Sequence, residues 1–234
     1  MSVPDTAMVF AAGFGTRMGD LTRDTPKPLL RAGGATLLDL ALDRLAAGGV
    51  SQAVVNTHYH SEQVAQAVAG RAAPAIHLSY EPEILETGGG LHAALPYLPN
   101  PILSVNPDAI WAAEANPLSV LSRDWRPSME ALLLLVPVAQ CRAYSGAGDF
   151  DLAADGQLVR RGDAPSAAYV YSGWQILRTD RLARMQGGKF SLNVVWDQMN
   201  AAGTLYGAVC DQPWVDVGTA EGLRTADEML RKAG

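Results

Sequence analysis

In the first half of the chain, short unbroken apolar runs alternate with stretches whose apolar residues recur every three or four positions. Residues 7–11, 53–56, 76–80 and 102–105 are runs of strand length, and 131–136 is a further one. Between them, 36–47 has helical periodicity and stops at Gly48-Gly49, 62–69 repeats the pattern, and a third helix begins over 90–95. Strands alternating with helices at this spacing predict an α/β protein, its mostly parallel central sheet covered by helices on both faces. Beyond residue 140 the texture changes. Asp155-Gly156 is a turn signal that folds 150–161 into a small β-hairpin. A strand at 168–177, a helix at 192–201, short strands at 205–209 and 214–217, and a helix over 219–232 follow, with Thr219 placed to cap the last helix. No repeat or low-complexity linker interrupts the pattern. Residues 1–234 therefore read as one domain, and the second half (141–234) extends the sheet of the first (1–140).

Composition narrows the function classes. The 234 residues are 48% hydrophobic and 18% charged, as in a soluble globular protein. A net charge of −6 without a basic tract excludes nucleic acid as an expected partner. The longest apolar stretch, 131–139, is explained by a buried strand, so no membrane span is expected. The start MSVPDTAM lacks the basic flank of an export signal. Cys141 and Cys210 read as free thiols of a reducing cytoplasm.

Candidate chemistry begins at the first strand's end. The sequence AAGFGTRMG (11–19) is a glycine-bearing turn whose backbone N–H groups can face an anion. Gly13 and Gly15 allow close backbone approach. The dinucleotide pattern fails, because Met18 stands where its third glycine would be, and the P-loop lysine is missing. Instead Arg17 follows Thr16, and Lys27 arrives between Pro26 and Pro28. An arginine that clamps two oxygens and a lysine held between prolines suit a polyphosphate. A surface turn with two solvated cations is the plainer alternative.

AAGFGTRM with TPKPLL (25–30) resembles the signature of the sugar-1-phosphate nucleotidyltransferases. The run ETGGG (86–90), Gly148-Asp149-Phe150, Tyr171-Ser172-Gly173-Trp174 and WVDVGT (214–219) are similar to the uridylyltransferase subgroup that acts on N-acetylmuramate 1-phosphate in cell-wall recycling. The resemblance implies the Rossmann-like nucleotide-diphospho-sugar transferase fold, with 1–140 holding the nucleotide and 141–234 the sugar phosphate. It implies cytoplasmic transfer of a nucleotidyl group from a nucleoside triphosphate to a sugar 1-phosphate by a monomer or small homo-oligomer. Implied nucleotide contacts are Ala11, Ala12, Gly13, Gly15, Thr16, Arg17, Lys27, Glu83, Thr87, Gly88 and Gly89, the glycines offering free N–H donors. Implied sugar-phosphate contacts are Glu86, Asn106, Gly148, Asp149 and Gly173. The plainer readings of Gly148 and Gly173 are a hairpin turn and a β-bulge.

Such a transfer needs a divalent cation, and Mg²⁺ takes hard oxygens. Asp108 follows the strand ILSV at its carboxyl end, and Asp216 ends PWVD ahead of a helix. By the resemblance these two hold Mg²⁺, and Arg17, Lys27 and Asp108 are the catalytic set. A turn aspartate and a helix N-terminal acid are the structural alternatives. One departure stands out: the family has glycine before the first aspartate, and here it is Pro107. Pro107 motivates a catalytically silent nucleotide-binding module as an alternative. Mannose-1-phosphate guanylyltransferase is another, with Glu83 accepting from guanine.

The remaining polar candidates are weaker. His58 and His60 form a two-apart pair without a third ligand, which suits a loop or substrate rim. His77 lies within a strand, and His92 faces the nucleotide cleft at the start of its helix. The five tryptophans are irregularly spaced and read as core and rim. The lysine that larger relatives place on the sugar phosphate has no counterpart; Arg160, Arg161 and Lys189 are rivals for that role, and each is equally a surface charge.

Overall fold

The computed structural model describes residues 3–232; Met1, Ser2, Ala233 and Gly234 of the stretches read above lie outside them. The chain order is β1 (Thr6–Phe10), β2 (Arg31–Ala32), β3 (Ala35–Thr36), α1 (Leu37–Ala47), β4 (Gln52–Thr57), α2 (Ser61–Val68), β5 (Ala75–Tyr80) and α3 (Glu86–Ala94). Then come β6 (Ile102–Val105), β7 (Ala109–Trp111), α4 (Pro117–Asp124), β8 (Ala131–Pro137), β9 (Cys141–Arg142), β10 (Phe150–Leu152) and β11 (Leu158–Arg160). The chain closes with β12 (Tyr169–Leu177), α5 (Asp180–Ala183), α6 (Asn193–Ala201), β13 (Leu205–Val209), β14 (Trp214–Asp216) and α7 (Ala220–Arg231).

The main sheet follows the expected pattern. Strands β5, β4, β1 and β6 lie side by side and parallel. Strand β12 runs antiparallel between β6 and β8, and β13 pairs parallel with β8. The hairpin β10–β11 hangs from the start of β12. Period-two alternation sends neighbours to opposite faces. Val9, Val55, Leu132 and Leu134 pack under α1, α2 and α4, whereas Met8, Val54, Leu133 and Leu135 pack under α3 and α6. Thr36 caps α1 by accepting from Asp39 N at 3.0 Å, and Thr219 caps α7 by accepting from Gly222 N at 3.1 Å, the latter as the sequence predicts. All five tryptophans are buried, so they are core. Both cysteines are free thiols that burial pushes up, Cys141 to about 12 and Cys210 to about 11.

Three features differ from the sequence reading. Strand 214–217 was expected to extend the main sheet. Instead β14 joins β7 and β9 in a separate three-stranded sheet, because its partner is the short strand that follows Asp108. Helix α3 begins four residues before the expected start and contains the glycines. Helix α4, with Asn116 Oδ1 accepting from Ser119 N at 3.1 Å, is an element the sequence reading did not assign. Among the described residues no helix is long and apolar enough to cross a membrane.

Strand order reverses between β1 and β6, and the crevice at their carboxyl ends is the binding place of open α/β sheets. Gly173 shapes this crevice. It sits where the register of β12 shifts between Tyr171 and Gln175, with φ 87°. Its carbonyl accepts from Asn106 N at 2.9 Å, and a Cβ there would lie 2.9 Å from Asn106 Cβ. Gly173→Ala is expected to cost about 1–3 kcal/mol, seen as a lower denaturant midpoint at unchanged m-value.

Candidate active site

The loop after β1 descends between two cations. Ala11 N is buried and donates to Asn56 Oδ1 at 2.7 Å, so this N–H holds the loop's root and does not face the cleft. Ala12, Gly13, Gly15, Thr16 and Arg17 line a cleft of about 320 Å³. Gly15 adopts φ 64°, and a Cβ on it would lie 2.9 Å from Lys27 Cβ. The loop therefore rests directly on the lysine's stem. Pro26 O accepts from Leu29 N at 2.8 Å in a tight turn that starts at Lys27, which fixes the direction of that stem. Lys27 Nζ is ion-paired with Asp108 Oδ2, and both side chains are mostly buried. The sequence reading placed Lys27 on phosphate; here it neutralises the acid.

The two acids converge. Ala109 N bonds Asn106 O at 3.2 Å, which makes Asn106-Pro107-Asp108-Ala109 a β-turn with proline at its second position, and neither Pro107 nor Asp108 has positive φ. Proline is favoured there, since its fixed φ suits the turn and its absent N–H is not required. Strand β14 brings Asp216 into register with Ala109, and Val217 N donates to Asp108 O at 3.0 Å. A Cβ on Gly218 would lie 3.0 Å from both Asp216 Oδ2 and Arg17 Nη1, so the guanidinium and carboxylate flank that glycine. Burial raises the pKa of Asp216 and the charge of Asp108 raises it further, while Lys27 and Arg17 oppose both effects. Two crowded oxygen ligands in partial burial fit a divalent cation. No cluster of three ligating His, Cys, Asp or Glu side chains exists among the described residues. The protein would thus supply two carboxylates and leave the other positions to water and phosphate, which is the habit of Mg²⁺.

The far end of the cleft is built from residues the sequence did not single out. Glu81, just past β5, is 1% exposed; its Oε1 accepts from Asn56 Nδ2 at 2.6 Å and its Oε2 from Leu85 N at 3.1 Å. Both Glu81 and Asn56 line the cleft, as do Glu86 and Thr87. Glu83 is exposed and is not among the lining residues. The glycines of ETGGG serve packing. Gly88 N and Gly89 N both donate to Phe190 O at 3.0 Å, and a Cβ on either would strike the 188–190 backbone or the Phe190 ring. These N–H groups are therefore already used. Thr87 Oγ1 accepts from Leu192 N at 3.0 Å, fastening the same junction. The strand-end position of Glu81 was the available signal for it.

Second-half candidates lie apart from this cleft. Gly148, at φ 80°, packs against Ala167, where a Cβ would meet the Ala167 carbonyl at 2.3 Å. Asp149 Oδ2 accepts from Tyr171 N at 2.9 Å, and Asp149 lines a second cavity. Gly173 meets the cleft only through Asn106, which is a lining residue. His92 does not line the cleft; its Nε2 lies 3.1 Å from Met185 O. His58 bonds Glu81 O through Nδ1 at 2.8 Å, His60 stands at the N-terminus of α2 without a side-chain cap bond, and His77 stacks on Tyr97.

Comparison with known proteins agrees with this geometry. The MobA-like NTP transferase domain matches residues 7–115. The chain is 38% identical to the N-acetylmuramate alpha-1-phosphate uridylyltransferase of Caulobacter vibrioides, with 98% of each covered. It is 30% identical to the protein of the same name from Neisseria meningitidis, over 95% of this chain and 97% of the other. Among solved structures, HddC from Yersinia pseudotuberculosis complexed with GMP-PN superposes with a TM-score of 0.78 at 21% identity, over 95% of this chain and 98% of that one. A UDP-glucose pyrophosphorylase complexed with UDP-glucose gives 0.81 at 15% identity, over 100% of both. The two structures establish the nucleotide-diphospho-sugar transferase fold. With an arginine, a lysine and an aspartate lining its crevice, a second aspartate beside them, and full-length relatives of this kind, the chain belongs to the sugar-1-phosphate nucleotidyltransferases, enzymes that transfer a nucleotidyl group to a sugar phosphate.

Proposed function

We propose that this enzyme transfers UMP from UTP to N-acetylmuramate 1-phosphate, giving the UDP-sugar and pyrophosphate, with Mg²⁺ held by Asp108 and Asp216. The observation that carries the chemistry is that Arg17, Lys27 and Asp108 line one cleft while Asp216 lies beside its rim at Gly218, flanking Arg17 and close enough to Asp108 to feel its charge. The choice of base and sugar is supported by two relatives of that name, each aligned over nearly its whole length.

A phosphate oxygen of the acceptor forms a bond to the α-phosphorus, the bond between that phosphorus and the α–β bridging oxygen breaks, and pyrophosphate leaves. The nucleophile is already an anion, so no strong base is needed, and positioning with charge neutralisation does the work. Bound Mg²⁺ would supply positive charge between the reacting phosphates. Arg17, exposed at the cleft wall, offers its fork to phosphate oxygens, and the backbone N–H groups of Gly13 to Thr16 edge the same space. Lys27 is ion-paired with Asp108. At the other end the buried Glu81 carboxylate accepts from Asn56 Nδ2 on one oxygen and from Leu85 N on the other, which fixes the β5–α3 connection in place.

A second reading, GTP with a mannose 1-phosphate, loses the guanine acceptor the sequence reading gave it, because Glu83 is exposed and does not line the cleft. The silent module loses its motive, because Pro107 fits its turn without strain.

UTP, GTP, CTP and dTTP crossed with the 1-phosphates of N-acetylmuramate, glucose, mannose and glucosamine, read by pyrophosphate release, are expected to single out UTP with N-acetylmuramate; a GTP–mannose maximum overturns that choice. Arg17→Ala and Asp108→Asn are each expected to lower turnover roughly 10²–10³-fold with unchanged circular dichroism. Asp216→Asn is expected to separate stability from activity. A raised carboxyl pKa means that the ionised form costs stability, a cost absent below the ordinary aspartate value of 3.8 and present once pH passes the raised one. In metal-free buffer at neutral pH the variant should melt at a higher temperature than the parent chain, and the gain should vanish in acid. Added Mg²⁺ should raise the melting temperature of the parent chain and not that of the variant.

A further inference from the structure

Three cations rival one another in the sequence for the acceptor's negative charge, and the structure separates them. Arg160 is taken: its Nε lies 2.7 Å from Asp197 Oδ1, and its guanidinium covers the Phe150 ring at 5.4 Å. Lys189 is exposed and turned toward Glu86, at 3.9 Å. Arg161 is held differently. Its Nε donates to Gly148 O at 2.9 Å and its Nη1 to Ala164 O at 3.3 Å. No carboxylate forms an ion pair with it among the described residues. Neutral carbonyls thus fix the fork without cancelling its charge. A guanidinium has five N–H donors, and these two bonds engage Nε and Nη1 only, on a residue that lines a cavity.

The place of Arg161 matters as much as its charge. It is half-buried and lines a cavity of about 460 Å³ together with Asp149, Tyr171, Asn193 and Trp196. Its own N–H donates to Asp149 O at 2.9 Å, which ties it to the corner leading into β10. Tyr171 and Trp196 meet edge to face at 4.9 Å and give this cavity an apolar wall. Two residues after Tyr171, Gly173 presses on Asn106, which belongs to the nucleotide cleft. Two residues of strand span ~7 Å, about the length of one sugar ring. An acceptor whose phosphate enters the cleft near Asn106 can therefore present its far side to this second cavity.

We propose that Arg161 is a specificity-determining residue that binds the carboxylate of an acidic sugar 1-phosphate, the lactyl carboxylate in the case of N-acetylmuramate 1-phosphate. The assignment rests on the acceptor proposed above. The phosphate of that sugar is met by the cations and acids of the cleft, whereas the carboxylate stands on the ring's other side and needs a cation of its own. A rigid guanidinium with open donors suits a carboxylate in shape as well as sign. Asp149 and Asn193 in the same wall suit the ring's hydroxyl and amide groups.

The test compares N-acetylmuramate 1-phosphate with N-acetylglucosamine 1-phosphate, which carries the same phosphate and lacks the lactyl carboxylate. With UTP saturating, Arg161→Gln is expected to raise KM for N-acetylmuramate 1-phosphate roughly 10- to 100-fold, the size of a lost charge-assisted bond. The kcat should stay within about threefold, and the N-acetylglucosamine reaction should not change. Arg161→Lys should recover part of the loss, because the charge returns without the fork. An unchanged KM for UTP shows that the variant is folded. Equal losses with both sugars would mean that Arg161 reads the shared phosphate, and no loss with either would mean that it reads neither; each result overturns the assignment. Failure of the acceptor reading itself is seen separately, in the parent enzyme, as a preference for a sugar without a carboxylate.

Discussion

Two carboxylates drawn together out of water are the constraint on which this site depends. Burial raises the cost of ionising Asp216, and the charge of Asp108 adds to it. The fold accepts the cost by bringing cations from a different direction. Lys27 comes from a proline-bracketed turn and Arg17 from the loop after β1, and both oppose it. The small sheet β7–β14–β9 is the device that creates the meeting. If β14 had continued the main sheet, Asp216 would not face Ala109, and its carboxylate would not reach Asp108's corner.

Much of this was legible in the sequence, for physical reasons that differ by element. Runs such as ALLLLV show themselves because a strand buried on both faces has no polar positions to break the pattern. The cap of α7 is local, so Thr219 can be read in place. Strands β7 and β9 cannot, since two or three residues hold no period. The ETGGG glycines misled for another reason. A glycine run at a helix start signals close backbone approach, yet the sequence does not say what approaches. Here it is the chain itself, a hundred residues later, at Phe190. Glu81 and Asn56 were passed over for the same kind of reason, because strand-end position is the one signal either carries until the fold sets them 2.6 Å apart.

Pro107 teaches a related lesson about motif departures. A glycine replaced by proline looks like lost flexibility and a lost donor. Whether that matters depends on which turn position it occupies, and the bond from Ala109 N to Asn106 O puts it where proline is preferred. The departure is conformational bookkeeping and leaves the adjoining acid where it belongs.

The contact between Gly15 and the stem of Lys27 reaches past this single chain. Twelve positions apart, the two behave as one steric unit, since any side chain added at the first must push aside the methylene groups that aim the second. Saturation libraries that vary either alone will sample mostly inactive combinations, and grafts of the opening loop from distant homologues should carry the proline-flanked lysine with them as an inseparable cassette.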